Sequence, residues 1–94
     1  MPKYILVGDD DAERSYERAM SLYVEAGAER RAAICLGHLA DARFFLRRFE
    51  AAEETYLDAL AQHRRLGNRR YEAVVLGNFG NLLRGTGQRQ QALE

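Results

Sequence analysis

Ninety-four residues make at most one domain, and a chain of this size buries only roughly 60–65% of the surface its unfolded form exposes, so its stability margin is small. Hydrophobic residues make up 47% and charged residues 30%, a globular composition, and the fourteen basic and fourteen acidic residues cancel. Zero net charge argues against a nucleic-acid partner, which calls for a basic excess to neutralise phosphates. No apolar run reaches membrane-spanning length, no signal-peptide pattern opens the sequence, and the single Cys35 can form no intrachain disulfide. Cytoplasm is the expected compartment, with no membrane partner.

In chain order, residues 1–11 stand apart as an arm or the remnant of a preceding helix: Tyr4-Ile5-Leu6-Val7 is a short apolar run that ends at Gly8 and three aspartates. Asp9 to Asp11 supply a cap and negative charge where a first helical turn leaves its amides unpaired, so a helix is expected to begin there. Over residues 12–26, Ala12, Tyr16, Ala19, Met20, Tyr23 and Val24 recur at three- and four-residue spacing, which predicts an amphipathic helix, and Gly27 ends it. A second helix is expected over 29–47, with Ala33, Leu36, Leu39, Ala40 and Arg43 along one stripe. The pattern changes phase near Arg48, and a third helix follows over 49–66 through Ala52, Tyr56, Ala59 and Leu60. Gly67-Asn68 stops it. A fourth helix over 69–84 is expected to end at Gly85-Thr86-Gly87, with residues 88–94 starting a fifth. The fold class is all-α.

Residues 11–50 laid on 51–90, an offset of 40, match at Ala12/Ala52, Tyr16/Tyr56, Ala19/Ala59, Gly27/Gly67, Ala33/Ala73, Leu36/Leu76 and Gly37/Gly77. Each period is therefore one supersecondary unit, a pair of helices that buries its apolar faces only against a stacked neighbour. Leu36, Leu39 and Ala40, with Leu76, Phe79 and Gly80, are expected to hold the helices together.

The order Leu36, Leu39, Ala40, then a turn, then Ala52, Tyr56, Ala59 resembles a tetratricopeptide repeat. The next copy reads Leu76, Phe79, Gly80, Leu83, Gly87 and Ala92, and an earlier half-copy reads Ala12, Tyr16, Ala19. The 40-residue period exceeds the usual ~34 and is similar to the subgroup of kinesin light chains and spindle-orientation adaptors, whose first helices carry Leu-Gly-Asn-x-Gly-Asn; this chain has Leu76-Gly77-Asn78-Phe79-Gly80-Asn81. Arg43 stands where an aromatic is usual and Arg47 replaces the turn glycine, two departures that make the first repeat less regular at its inner turn; the terminal proline is also absent, because the repeat's second helix runs on to Gly67. The resemblance implies antiparallel helix pairs stacked into a right-handed α-solenoid over residues 12–94, with about four full helices and a partial fifth.

It also implies a concave groove lined by the first helix of each repeat. Counting 100° per residue from Leu36 puts His38, Asp41, Phe44 and Phe45 on that side, and Asn78, Asn81 and Arg84 in the second repeat. In the related families, Asn at the positions of Asn78 and Asn81 hydrogen-bonds the backbone of a bound peptide, and a primary amide suits that task because it both donates and accepts. Arg84 then takes a carboxylate and Phe45 an apolar side chain. The binding set is Asn78, Asn81, Arg84, His38, Asp41 and Phe45. The competing readings are that both asparagines are merely solvated, and that Ile34, Phe44 and Phe45 are buried against the preceding helix.

No catalytic constellation, glycine-rich phosphate loop or cofactor motif is present, and His38 and His63 lack a companion at ligand spacing, so no enzyme, cofactor or metal is expected. Cys35 reads as a small buried hydrophobe, and the arginine pairs at 30/31, 47/48, 64/65 and 69/70 as solvated helix ends. Two periods leave apolar faces open at both ends, so a homo-oligomer, or a piece of a longer array, is expected. A protein or peptide partner and self-assembly are thus the two functional expectations.

Overall fold

The computed structural model describes residues 10–93, with side chains described from 11 to 87. Four helices follow one another: α1 (Asp10–Glu25), α2 (Glu29–Phe45), α3 (Phe49–Leu66) and α4 (Arg69–Leu93). α2 touches α1, α3 and α4, and α3 also packs on α4. Short connections make sequence neighbours antiparallel, so the chain is an all-α helical repeat. The arm expected over residues 1–11 lies outside the described residues as far as residue 9, and with it the Asp9 cap.

Three turns share one backbone design at 20-residue intervals. Gly27, Arg47 and Gly67 occupy the left-handed region at φ 73°, 61° and 72°. In each turn that residue donates its amide to the carbonyl three positions back: Gly27 to Val24 at 3.0 Å, Arg47 to Phe44 at 2.9 Å, Gly67 to Arg64 at 3.2 Å. The following amide reaches five back, Ala28 to Tyr23 at 2.8 Å, Arg48 to Arg43 at 2.9 Å and Asn68 to His63 at 2.8 Å. This double closure satisfies the carbonyls that a helix end leaves open. Arg47 adopts the conformation without glycine's freedom, at a cost of about 1–2 kcal/mol. The first repeat's inner turn is therefore as regular as the others, and α2 stops at Phe45 because Arg47 belongs to the turn.

The fourth helix departs from expectation. It runs on through Gly85-Thr86-Gly87 to Leu93, so no separate fifth helix begins at residue 88. Neither Gly85 nor Gly87 takes a positive φ, and a glycine inside a helix costs only about 1 kcal/mol. Thr86 joins the helix by donating its hydroxyl to the carbonyls of Leu82 and Leu83, each at 3.1 Å.

The core lies between α2, α3 and α4. Ala40, Ala52, Tyr56, Ala59, Leu60, Val75 and Leu82 are buried, with Leu36, Phe44, Phe49 and Phe79 packed around them. Alanines at 40, 52 and 59 let α2 and α3 approach closely, and Tyr56 fills the space beyond, its ring stacked on Phe79 at 5.6 Å. Cys35 is buried, one helical turn from His38 on α2, whose ring stacks on Tyr16 of α1 at 5.6 Å.

The second stripe is not a packing stripe. Leu76 is 44% exposed and Leu83 47%, and a side chain at Gly80 would meet open space. Their counterparts on α2 are covered by α3, whereas no described helix covers this face of α4. Of the residues expected to hold the second repeat together, Phe79 does so.

Arginines fasten the stack. Arg43, half-buried on α2, donates to Glu13 of α1 at 2.7 Å and to Thr55 of α3 at 2.7 Å, and Arg48 also pairs with Glu13. Thr55 in turn donates to the Ala51 carbonyl at 2.7 Å. At the opposite end Arg64 meets Glu72 at 2.8 Å and Arg65 meets Glu29 at 3.5 Å. Arg48, Arg64 and Arg65 thus stay solvated at the helix ends, as expected, and also hold neighbours.

Candidate functional site

α2 and α4 lie side by side and run the same way, because residue numbers rise together along their contact. Near the start, Gly37 meets Val75, whose Cγ2 would lie 3.4 Å from a Cβ at position 37. One turn on, Asn78 Nδ2 donates to the Asp41 carboxylate at 3.3 and 3.4 Å. Beyond that, Phe44 and Phe45 face Asn81.

The Asp41–Asn78 bridge divides this groove. On one side is a recess of about 250 Å³ lined by Asp41, Phe44, Phe45, Tyr56, Asn78 and Asn81. On the other is a smaller one of about 60 Å³, where Asp41 and Asn78 are joined by His38, His63, Tyr71 and Val74. The floor is polar and pre-set: Tyr56 reaches up from α3 and donates its hydroxyl to Asp41 at 2.6 Å. Burial, the hydrogen bond to Asp41 and that carboxylate's charge all push the Tyr56 hydroxyl above the usual phenol range, so it stays a donor. Asp41 is held from two sides and keeps lone pairs for a visitor.

Four of the six residues singled out from sequence therefore converge on one recess: Asp41, Asn78, Asn81 and Phe45. Asn78 is not simply solvated, whereas Asn81 stays on the solvated surface. Asn78 bonds Asp41, and the exposed Asn81 accepts from Arg84 through its amide oxygen. Arg84 is exposed and already engaged, one turn from the recess. Phe45 is 78% exposed, so it is not buried against the preceding helix. Phe44 is half-buried and packs tilted on Phe49 of the following helix at 5.9 Å. His38 lines the smaller recess and lies apart from the main one.

Sequence reasoning missed Tyr56 as the group beneath Asp41, and it missed His63. That histidine is 1% exposed, with its ring stacked on Tyr71 at 5.7 Å and Nδ1 3.3 Å from Asn68 Nδ2. Burial holds the ring below the usual histidine range, opposed by the charge of Glu72. A signal existed: His63 lies 40 residues after Tyr23, on the packing stripe. Burial also pushes the Cys35 thiol up.

Among the described residues no group of three or more His, Cys, Asp or Glu side chains stands where it could hold a metal, and no helix is long and apolar enough to cross a membrane. Comparison with curated proteins and with solved structures gives no significant match. A family model described as Tetratricopeptide repeat matches residues 31–94, more than half of the sequence and the segment that holds α2, α3, α4 and the groove. With its 40-residue period, its three equivalent turns and this match, the chain belongs to the tetratricopeptide repeat family.

Proposed function

We propose that the chain is a protein-interaction scaffold that takes a peptide or protein segment along the groove between α2 and α4. Tetratricopeptide repeats generally mediate protein–protein interaction. The observation that carries the finer reading is the convergence of Asp41, Asn78, Asn81 and Phe45 on one recess of about 250 Å³. Amide and carboxylate groups there match the alternating donors and acceptors of a peptide backbone, and Phe45 offers an exposed ring to an apolar side chain. The likeness of Leu76-Gly77-Asn78-Phe79-Gly80-Asn81 to the kinesin-light-chain and spindle-adaptor string supports the same role for the two asparagines. The lone buried Cys35 suits a reducing compartment, the cytoplasm.

The test is a peptide selected from a random library on the folded protein. Asn78→Ala with Asn81→Ala should weaken its binding at least about tenfold, the loss of one or two hydrogen bonds, with helix content unchanged. Charge reversal at Arg84 should weaken acidic peptides selectively. Equal affinity for the double variant would refute the groove.

A second reading, self-assembly, rests on a separate observation, the uncovered α4 face at Leu76 and Leu83. On α2 the equivalent face is covered by α3, and α1 repeats α3 at Ala12, Tyr16 and Ala19. A second copy's α1 could then cover α4 as α3 covers α2. Solution mass decides: a monomer across the micromolar range would sink this reading.

A further inference from the structure

The smaller recess is lined by a histidine whose Nε2 has no hydrogen-bond partner among the described residues. We infer that this recess is a subsite for one uncharged acceptor oxygen, the main-chain carbonyl of a segment lying in the groove, with His63 Nε2–H as its donor; this rests on the groove reading above.

Three side chains fix where the histidine proton sits. Arg30 of α2 donates to the Leu66 carbonyl at 3.0 Å and to Asn68 Oδ1. A guanidinium has donors only, so the oxygen of the Asn68 amide must face Arg30 and its NH2 must face His63. His63 Nδ1, 3.3 Å from that NH2, therefore accepts. A neutral imidazole that accepts at Nδ1 carries its proton on Nε2. That Nε2 is buried and has no hydrogen-bond partner among the described residues. An unpaired buried donor costs free energy until an acceptor reaches it.

His63 lines the recess of about 60 Å³ between α2 and α4. That space admits a small polar group such as a carbonyl. Asp41 lines the same recess and Glu72 acts on His63 electrostatically. The Asp41 carboxylate in the lining disfavours an anionic acceptor, which selects an amide carbonyl over a carboxylate; Glu72 is already paired with Arg64.

The experiment uses the histidine-labelled chain and two-bond proton–nitrogen NMR, which reads the tautomer. N-methylacetamide serves as a bare peptide group and acetate as its charged rival. His63 should show the Nε2–H pattern at pH 8. N-methylacetamide should move its Nε2 signals saturably, and acetate at the same concentration should not. Asn68→Asp keeps a partner for Arg30 but presents an acceptor to Nδ1. It should move the proton to Nδ1 and abolish the response. An Nδ1–H pattern in the unsubstituted chain, a response only to acetate, a recess that holds nothing but water, or an unchanged response in Asn68→Asp would each overturn the subsite. With the library-selected peptide the two readings separate. About tenfold weaker binding in Asn68→Asp supports the subsite. Unchanged binding there, together with loss in the Asn78/Asn81 double variant, keeps the groove and removes the subsite. If no peptide is selected, the groove reading fails and the N-methylacetamide result still decides the subsite.

Discussion

Leu36 on α2 and Leu76 on α4 hold the same place in the repeat, yet they meet different surroundings. Leu36 packs against the core with Ala40 beneath α3, whereas Leu76 is 44% exposed beside a Gly80 that faces open space. The two stripes are alike in sequence and differ in what is stacked on them. In a stack of repeats, burial belongs to the interface between units and cannot be assigned to a residue from its own unit alone.

The largest test of this comparison is a pair of tyrosines 40 residues apart. Tyr56 is 1% exposed, so Tyr56→Ala should cost about 3–5 kcal/mol in urea unfolding. Tyr16, half-buried on α1, should cost less than half as much on the same change. Next comes the leucine pair. Leu36→Ala should cost about 2 kcal/mol and Leu76→Ala within about 0.5 kcal/mol. A Leu76→Ala cost equal to that of Leu36→Ala would mean that the α4 face is covered in solution, which favours self-assembly.

The turns give a smaller comparison. Arg47→Gly should stabilise by up to about 1 kcal/mol, since it removes left-handed strain and gives back part of that gain through a looser unfolded chain. Gly67→Ala should destabilise by about 1 kcal/mol. Equal melting points for the parent and both variants would contradict the shared turn geometry.

The mildest test is pH. His63 has its pKa lowered by burial from the ordinary 6.5, so below that value the unfolded chain binds a proton that the fold resists. Stability from this group is present above about pH 6.5 and is lost as pH falls toward the lowered folded value. The melting temperature should therefore drop between pH 7 and pH 5. His63→Phe, which removes the titrating ring, should flatten that drop; an identical slope would assign it to other groups.

The helices, two of the glycine turns and the inward face of α2 were legible because each rests on local spacing. Period and phase place Ala40, Ala52 and Tyr56 without knowledge of neighbours. The exposed Leu76 was not legible, because its burial depends on a helix beyond it. Nor was the continuation of α4 through Gly85-Thr86-Gly87: glycine permits a left-handed turn without compelling one, and here the helix keeps its own backbone hydrogen bonds instead. The groove residues Asp41, Asn78 and Asn81 could be placed on a face by counting. The pairing of Asp41 with Tyr56 and Asn78 could not, since it joins three helices. His63 escaped notice because a histidine on a packing stripe reads as polar, while its setting is that of the aromatic Tyr23 one period earlier.

Cys35 gives the molecule an internal clock. Its thiol is buried on α2, in helical register with the His38 that stacks on Tyr16 of α1. Burial shields it from a thiol reagent until that face of α2 opens. The labelling rate, set against that of an unfolded thiol, then reports how often the buried face of α2 opens, in a chain that carries no second cysteine to confuse the signal.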